Sequence, residues 1–302
     1  MKYNRIIIFI FCSLLGLSSL AQTNNEPIII EIDPLFDYPV APEEIQSLTD
    51  KSNYLVQHFW DPYDFKSKQS VDQTALNEAF RVFSTPMRWS DREKSLEAVD
   101  KIISKIKNNP TQLLQFTKAA EENLYGPRAQ FWADEVYLKF LSAYLNNKKI
   151  SDSRKAKYLK QQKTLSSCLI GERAPEFSFE GVKGEKHNYF PMSTPTLIIF
   201  GNPDDTDWRL ARIRMETNST LTSAVDKGKI NILFIIPQQV EGWQKTVSNY
   251  PANWKVGIGE NLQDIIDMRV YPTIYVIGGD GKIVEKNVTL GDGINTILSL
   301  VN

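Results

Sequence analysis

Between residues 44 and 163 the apolar positions recur at intervals of three and four. Leu48, Tyr54, Leu55, His58 and Phe59 share one stripe, and Leu76, Ala79, Phe80 and Phe83 share another, which is the period of a helix with one buried face. Trp60-Asp61-Pro62 closes the first helix, because the residue before a proline avoids the helical region. A second helix is expected over residues 72–83. Ser90 followed by Glu93 has the form of a capping box, and the helix behind it carries Leu96, Val99, Ile102, Ile103 and Ile106. Further helices are expected over 111–124 and 132–145, with a charged one over 152–166. These elements make an all-α domain over residues 46–166.

At Leu169 the period changes. Thr196 to Phe200 and Ile230 to Ile236 are short, apolar, β-prone runs, the pattern of strands buried on both faces. A shorter strand is expected near Phe177-Ser178-Phe179, with Val182-Lys183-Gly184-Glu185 as its turn. Residues 209–225 read as a helix, 243–249 and 261–268 as two short ones. Thr273 to Ile277 is a further strand, joined through Gly278-Gly279-Asp280-Gly281 to a hairpin partner over 282–289. A last helix covers 293–301. This order gives an α/β domain over residues 167–302.

The N-terminus changes the picture of where the protein works. Lys2 and Arg5 precede an apolar run from Ile6 to Leu17, and Ser19-Leu20-Ala21 supplies small residues behind it. That is the form of a secretory signal peptide, residues 1–21, too short for a stable bilayer span. Cys12 lies within the apolar run. Residues 22–45 are polar and contain prolines, with one apolar patch at Ile28-Ile29-Ile30; they read as a linker or an edge segment. The expected location is the periplasm or cell envelope of a Gram-negative bacterium.

Charge and composition mainly exclude. Lys and Arg number 35 against 36 Asp and Glu, and 42% of residues are hydrophobic. A near-neutral globular chain gives no reason to expect nucleic acid or an anionic membrane surface as a partner. The only cysteines are Cys12 and Cys168, so a chain cleaved after Ala21 keeps one thiol and forms no internal disulfide. The two histidines, His58 and His187, have no cysteine or second histidine at metal-ligand spacing. No metal site and no cofactor is expected. His58, beside Leu55, Phe59 and Trp60, reads as a packed core residue, and His187 as exposed.

The order of the second half carries a resemblance. Ile170-Gly171 with Ala174-Pro175-Glu176-Phe177, then Leu197 to Phe200, then Tyr271-Pro272-Thr273 running into Ile274 to Ile277, and then Gly279-Asp280-Gly281-Lys282-Ile283-Val284 resemble the thioredoxin-like domains of the TlpA/ResA type found in bacterial envelopes. The helical half, through Tyr54 to Asp61, Tyr63-Asp64-Phe65 and Asn123 to Pro127, is similar to an uncharacterised domain found in front of such domains, which implies no activity. In the resembled family two cysteines occupy the positions of Asp205 and Trp208. Here Asp205-Thr206-Asp207-Trp208 stands in their place. Of the family's site only Pro272 carries over, which the resemblance implies to be cis and beside the motif.

Several readings of the replaced motif stand side by side. Asp204, Asp205 and Asp207 at a helix start suit capping and the helix dipole. They also have the composition of a hard-cation site with Asn202, or of a carboxylate acid/base pair. Cys168, among Leu165, Leu169 and Ile170, is either a small buried residue or a single thiol for mixed disulfides. Trp208, Tyr271, Pro272, Trp243 and Trp254 are the candidate binding residues, as an aromatic surface for an envelope protein or peptide. The expected function is a redox-inactive binding or assembly role, leaning away from an enzyme. The alternatives are a thiol-disulfide pathway member acting through Cys168 and a carboxylate-based enzyme.

Overall fold

The computed structural model describes residues 33–67, 71–191 and 193–301. The expected signal peptide and the Ile28-Ile29-Ile30 patch lie outside the described residues. The chain divides into two compact units, up to Lys149 and from Ile150 onward.

The first unit is helical. Among the described residues it holds α1 (Leu48–His58), α2 (Gln73–Ser84), α3 (Arg92–Ile106), α4 (Pro110–Leu124) and α5 (Asp134–Leu145). Asp72 caps α2 by accepting from the Ala75 amide, and Asn109 caps α4, whose first residue is Pro110. Both ends follow the ordinary rule that a short polar side chain replaces missing backbone partners, with proline suited to the first helical position. The expected cap of α3 shifts by one residue. Asp91 takes the position without a capping bond, its Oδ2 accepting instead from Asn53 Nδ2 at 2.7 Å, while the Ser90 hydroxyl meets that of Ser95 at 2.6 Å. Trp60 is 4% exposed, with Phe59, Tyr63, Phe83 and Phe116 centred 5.1–5.6 Å from it. The segment read as a linker or an edge segment is packed at Phe36, which lies 5.4 Å from Phe59 and 5.5 Å from Trp60. His58 is not a core residue. It is exposed and its Nδ1 lies 2.8 Å from Asp61, because Val56, Phe59 and Trp60 take the buried positions of this turn.

The second unit opens with α6 (Asp152–Ser166). It is the last of the run of helices expected to residue 166, and it packs on a 3₁₀ turn at Leu262–Asp264. Seven strands follow: β1 (Phe177–Gly181), β2 (Lys186–Tyr189), β3 (Thr196–Phe200), β4 (Asn231–Ile236), β5 (Lys255–Ile258), β6 (Thr273–Ile277) and β7 (Ile283–Lys286). They form one sheet in the order β2-β1-β5-β4-β3-β6-β7. β3, β4 and β5 run parallel, and the other pairings are antiparallel.

The expected helix over 209–225 is two helices, α7 (Thr206–Thr217) and α8 (Ser219–Asp226). Asn218 ends one and starts the next, its side chain accepting from the Leu221 amide. The helix expected over 261–268 is only the 3₁₀ turn. β5 is absent from the sequence reading, since four residues including Gly257 give no alternation to detect. A side chain at 257 would collide with the Glu180 carbonyl on β1, which is why a glycine is needed where these strands meet. α9 (Trp243–Thr246) lies between β4 and β5, and α10 (Leu290–Ser299) follows β7.

Alternation along the central strands sorts the core into two layers. Leu197 and Ile199 join Trp208, Phe234, Trp254 and Ile294 on one side of the sheet. Ile198 and Phe200 join Cys168, Phe177, Phe179 and Tyr275 on the other, as a period of two requires.

Candidate functional site

The motif segment follows the carboxyl end of β3. Gly201 leads into a turn in which the Asn202 side chain accepts from the Asp204 amide at 3.0 Å, and the Asp205 amide donates to the Asn202 carbonyl at 3.0 Å. Asp205 then takes the N-cap position of α7 in extended conformation, with no hydrogen bond from its side chain to the helix. Asp204, Asp205 and Asp207 are all exposed. The capping expected of these carboxylates is thus limited to their position near the helix dipole, because Asn202 organises the turn. Among the described residues, no group of three His, Cys, Asp or Glu side chains is placed to hold a metal ion.

Trp208 points away from solvent. It is fully buried and its Nε1 donates to the Tyr250 hydroxyl at 2.6 Å. Phe234 of β4 is the hub of this cluster. Trp208 meets it edge-on at 4.9 Å, Tyr250 edge-on at 5.4 Å, and Trp254 stacks on it at 5.4 Å. Burial pushes the Tyr250 hydroxyl up, with the Trp208 bond pulling back. The indole also lies against the backbone at Gly201, where an added Cβ would stand 2.6 Å from the Trp208 ring and 3.6 Å from the Pro272 Cα. Motif, strand end and Pro272 therefore converge, and the Tyr271–Pro272 peptide is cis.

The aromatic surface expected from Trp208, Tyr271, Trp243 and Trp254 does not form. Trp208, Trp243 and Trp254 are 0%, 3% and 7% exposed, because the layer beside the helices uses their area for packing. Tyr271 alone is open, at 53%. Trp243 instead helps line a cleft of about 680 Å³ with Ser178, Asn188, Gln239 and Glu260. The sequence reading missed the apolar side chains that are open near the motif. Leu210 and Ile213, 43% and 45% exposed, stand three apart on α7 and so share a face. They lie inside a helical pattern whose buried side could not be told from its open side before the register of α7 was known.

The other layer of the sheet holds a polar cluster that was also missed. Asp267 is 2% exposed. Its Oδ2 accepts from Arg269 Nη2 at 2.6 Å and from Lys286 Nζ at 2.7 Å, and its carbonyl accepts from the Tyr275 hydroxyl at 2.9 Å. Burial pushes the Asp267 carboxyl up, yet Lys286 and Arg269 outweigh it and hold the group below the usual carboxylate range. A lone carboxylate in Ile265-Ile266-Asp267-Met268 was the available signal. Cys168 belongs to this layer. It is fully buried, its Sγ lies 3.4 Å from the Ile265 carbonyl, and burial pushes its thiol up. A raised thiol pKa means little thiolate, and thiolate is the reactive form. His187, read as exposed, is half-buried and stacks on Phe179 at 5.1 Å.

Comparison with known proteins agrees with this architecture. Residues 18–167 match the model of DUF5106, a domain of unknown function. The crystal structure of a thioredoxin-like protein from Bacteroides caccae superposes with a TM-score of 0.75 at 18% identity, covering 89% of this chain and 99% of that one. The thioredoxin domain of a thiol-disulfide oxidoreductase from Bacteroides vulgatus matches at 21% identity over 45% of this chain and 100% of its own, with a TM-score of 0.39. No curated protein matches the chain. The chain thus has a thioredoxin-like fold behind a helical region that matches a domain family of unknown function.

Proposed function

We propose that this is an exported, redox-inactive thioredoxin-like protein that acts by contact, in a binding or assembly role in the bacterial envelope. The observation that carries the reading is the fate of Trp208. At the position where the resembled family has its second cysteine, the side chain is a buried core residue bonded to Tyr250. With Cys12 and Cys168 the only cysteines, the motif has no thiol to cycle. The buried, raised Cys168 thiol argues against the single-thiol alternative. The contact face would be the start of α7 and Tyr271 beside Pro272, with Leu210 and Ile213 as apolar anchors. Exported location rests on the signal-like segment over residues 1–21. Among the described residues no helix is long and apolar enough to cross a membrane.

Insulin reduction tests the redox half of the proposal. The protein is expected to match its own Cys168→Ser variant and to show no turnover; activity above that variant would overturn the reading. Affinity capture from envelope extract tests the contact half, with wild type compared against Tyr271→Ser/Leu210→Ser. A partner retained by the first and lost by the second is the expected result, and equal retention would move the contact elsewhere.

A further inference from the structure

The near-neutrality of the chain conceals a local separation of charge. α6 carries Arg154, Lys155, Lys157, Lys160 and Lys163 against Asp152 alone, a net of +4 in 15 residues. Since the whole chain is −1, the remaining residues sum to −5. No acidic side chain follows Asp152 within the helix, while Lys157/Lys160 and Lys160/Lys163 are like-charge neighbours three apart, an arrangement that disfavours a helix. The buried side of α6 is built from Tyr158, Thr164 and Leu165. Lys155, Leu159 and Lys163 follow at intervals of four along the side away from it; Lys155 is half-buried at the edge of that side, Lys163 is exposed and Leu159 is 50% exposed. Lys160 lies beside them and bonds Asp264 at 2.7 Å.

We propose that this face of α6 attaches the protein to an anionic lipid bilayer. The residue types favour that occupant over an acidic protein. Protein interfaces are depleted in lysine and enriched in arginine and aromatics, and bidentate recognition of fixed anions uses arginine. Here four of five cations are lysines. Flexible lysine stems around one exposed leucine suit a diffuse layer of headgroups, where the aliphatic parts enter the interface and the ammonium groups stay with phosphate. The attachment is peripheral and reversible. Each lysine contributes about fivefold in affinity, and salt weakens it as the screening length falls.

Co-sedimentation of the full chain with vesicles tests this. Binding is expected to vesicles of phosphatidylcholine with phosphatidylglycerol, absent from phosphatidylcholine alone, and reversed by salt. Lys155→Gln/Lys163→Gln is expected to lower the affinity by about 25-fold, and Leu159→Ser to weaken it further. Lys227→Gln/Lys229→Gln makes the same change in net charge at exposed positions elsewhere and is expected to leave binding intact. Equal loss in both double variants, no loss in the α6 variant, or binding to polyglutamate without binding to the vesicles would each overturn the proposal. Circular dichroism of each variant, expected to match wild type, confirms that the reading is made on folded protein.

Discussion

The two faces of the sheet in the second unit hold two groups of carboxylates with opposite fates. At the start of α7, Asp204, Asp205 and Asp207 are exposed, and the one at the N-cap makes no capping bond. Across the sheet Asp267 is buried and bonded to Arg269 and Lys286. The first group stands where the resembled family does its chemistry, and its side chains are solvated. The second group lies in a position with no expected role, and the packing around it depends on its charge. Location in the fold therefore does not rank residues by importance here; burial and partners do.

The largest effects should fall on the buried members of each face. Asp267→Asn takes the carboxylate from between two cations and is expected to cost about 3–5 kcal/mol in urea unfolding. Trp208→Ala empties the space between Phe234 and Gly201 and is expected to cost a similar 3–5 kcal/mol. If Trp208→Ala were neutral, the motif position would be surface after all, and the contrast between the faces would fail. Tyr250→Phe leaves the indole N–H without its acceptor, at about 1–3 kcal/mol.

Unfolding measured against pH sharpens the same contrast. The folded state keeps Asp267 ionised to lower pH than the unfolded chain does. Its contribution is present above about pH 4 and is lost as pH falls through the folded value. Cys168 acts in the opposite direction. Its raised thiol favours the folded state below about pH 8.5, and that contribution declines as pH rises further. Asp267→Asn should flatten the acid limb and leave the alkaline one. The smallest effect is expected at the motif. Asp205→Ala should change stability by less than about 0.5 kcal/mol, whereas Asp72→Ala, which removes a capping bond that is made, should cost about 1 kcal/mol. Equal losses would mean that Asp205 caps α7 in solution.

The fold was legible wherever the pattern was long and periodic. The strands at Thr196 and Ile230 and the five helices of the first unit stand close to where the spacing of apolar residues places them. Short elements escaped: β5 holds four residues, and α7 and α8 are divided by one asparagine that a helical pattern absorbs. The candidate site was legible in identity and not in orientation. Trp208 and Pro272 do meet at Gly201, but the sequence carries no sign that Trp208 turns inward and Tyr271 outward. That depends on Phe234 and Tyr250, distant in sequence and placed by the sheet. The packing of α6 was hidden for a related reason, since the turn it meets, where Asp264 pairs with Lys160, lies about a hundred residues further along.

The contact between Trp208 and the backbone at Gly201 also sets what installing other chemistry at the motif would require. A thiol pair at this site would need two substitutions, at Asp205 and at Trp208. The second would exchange an indole for a side chain far smaller, in a core already fitted around the larger one. A variant built in that order would lose stability at that step, before any disulfide existed to compensate. The indole thus closes the site to a thiol pair from the inside, while the exposed Asp205 on the outside can be exchanged at little cost.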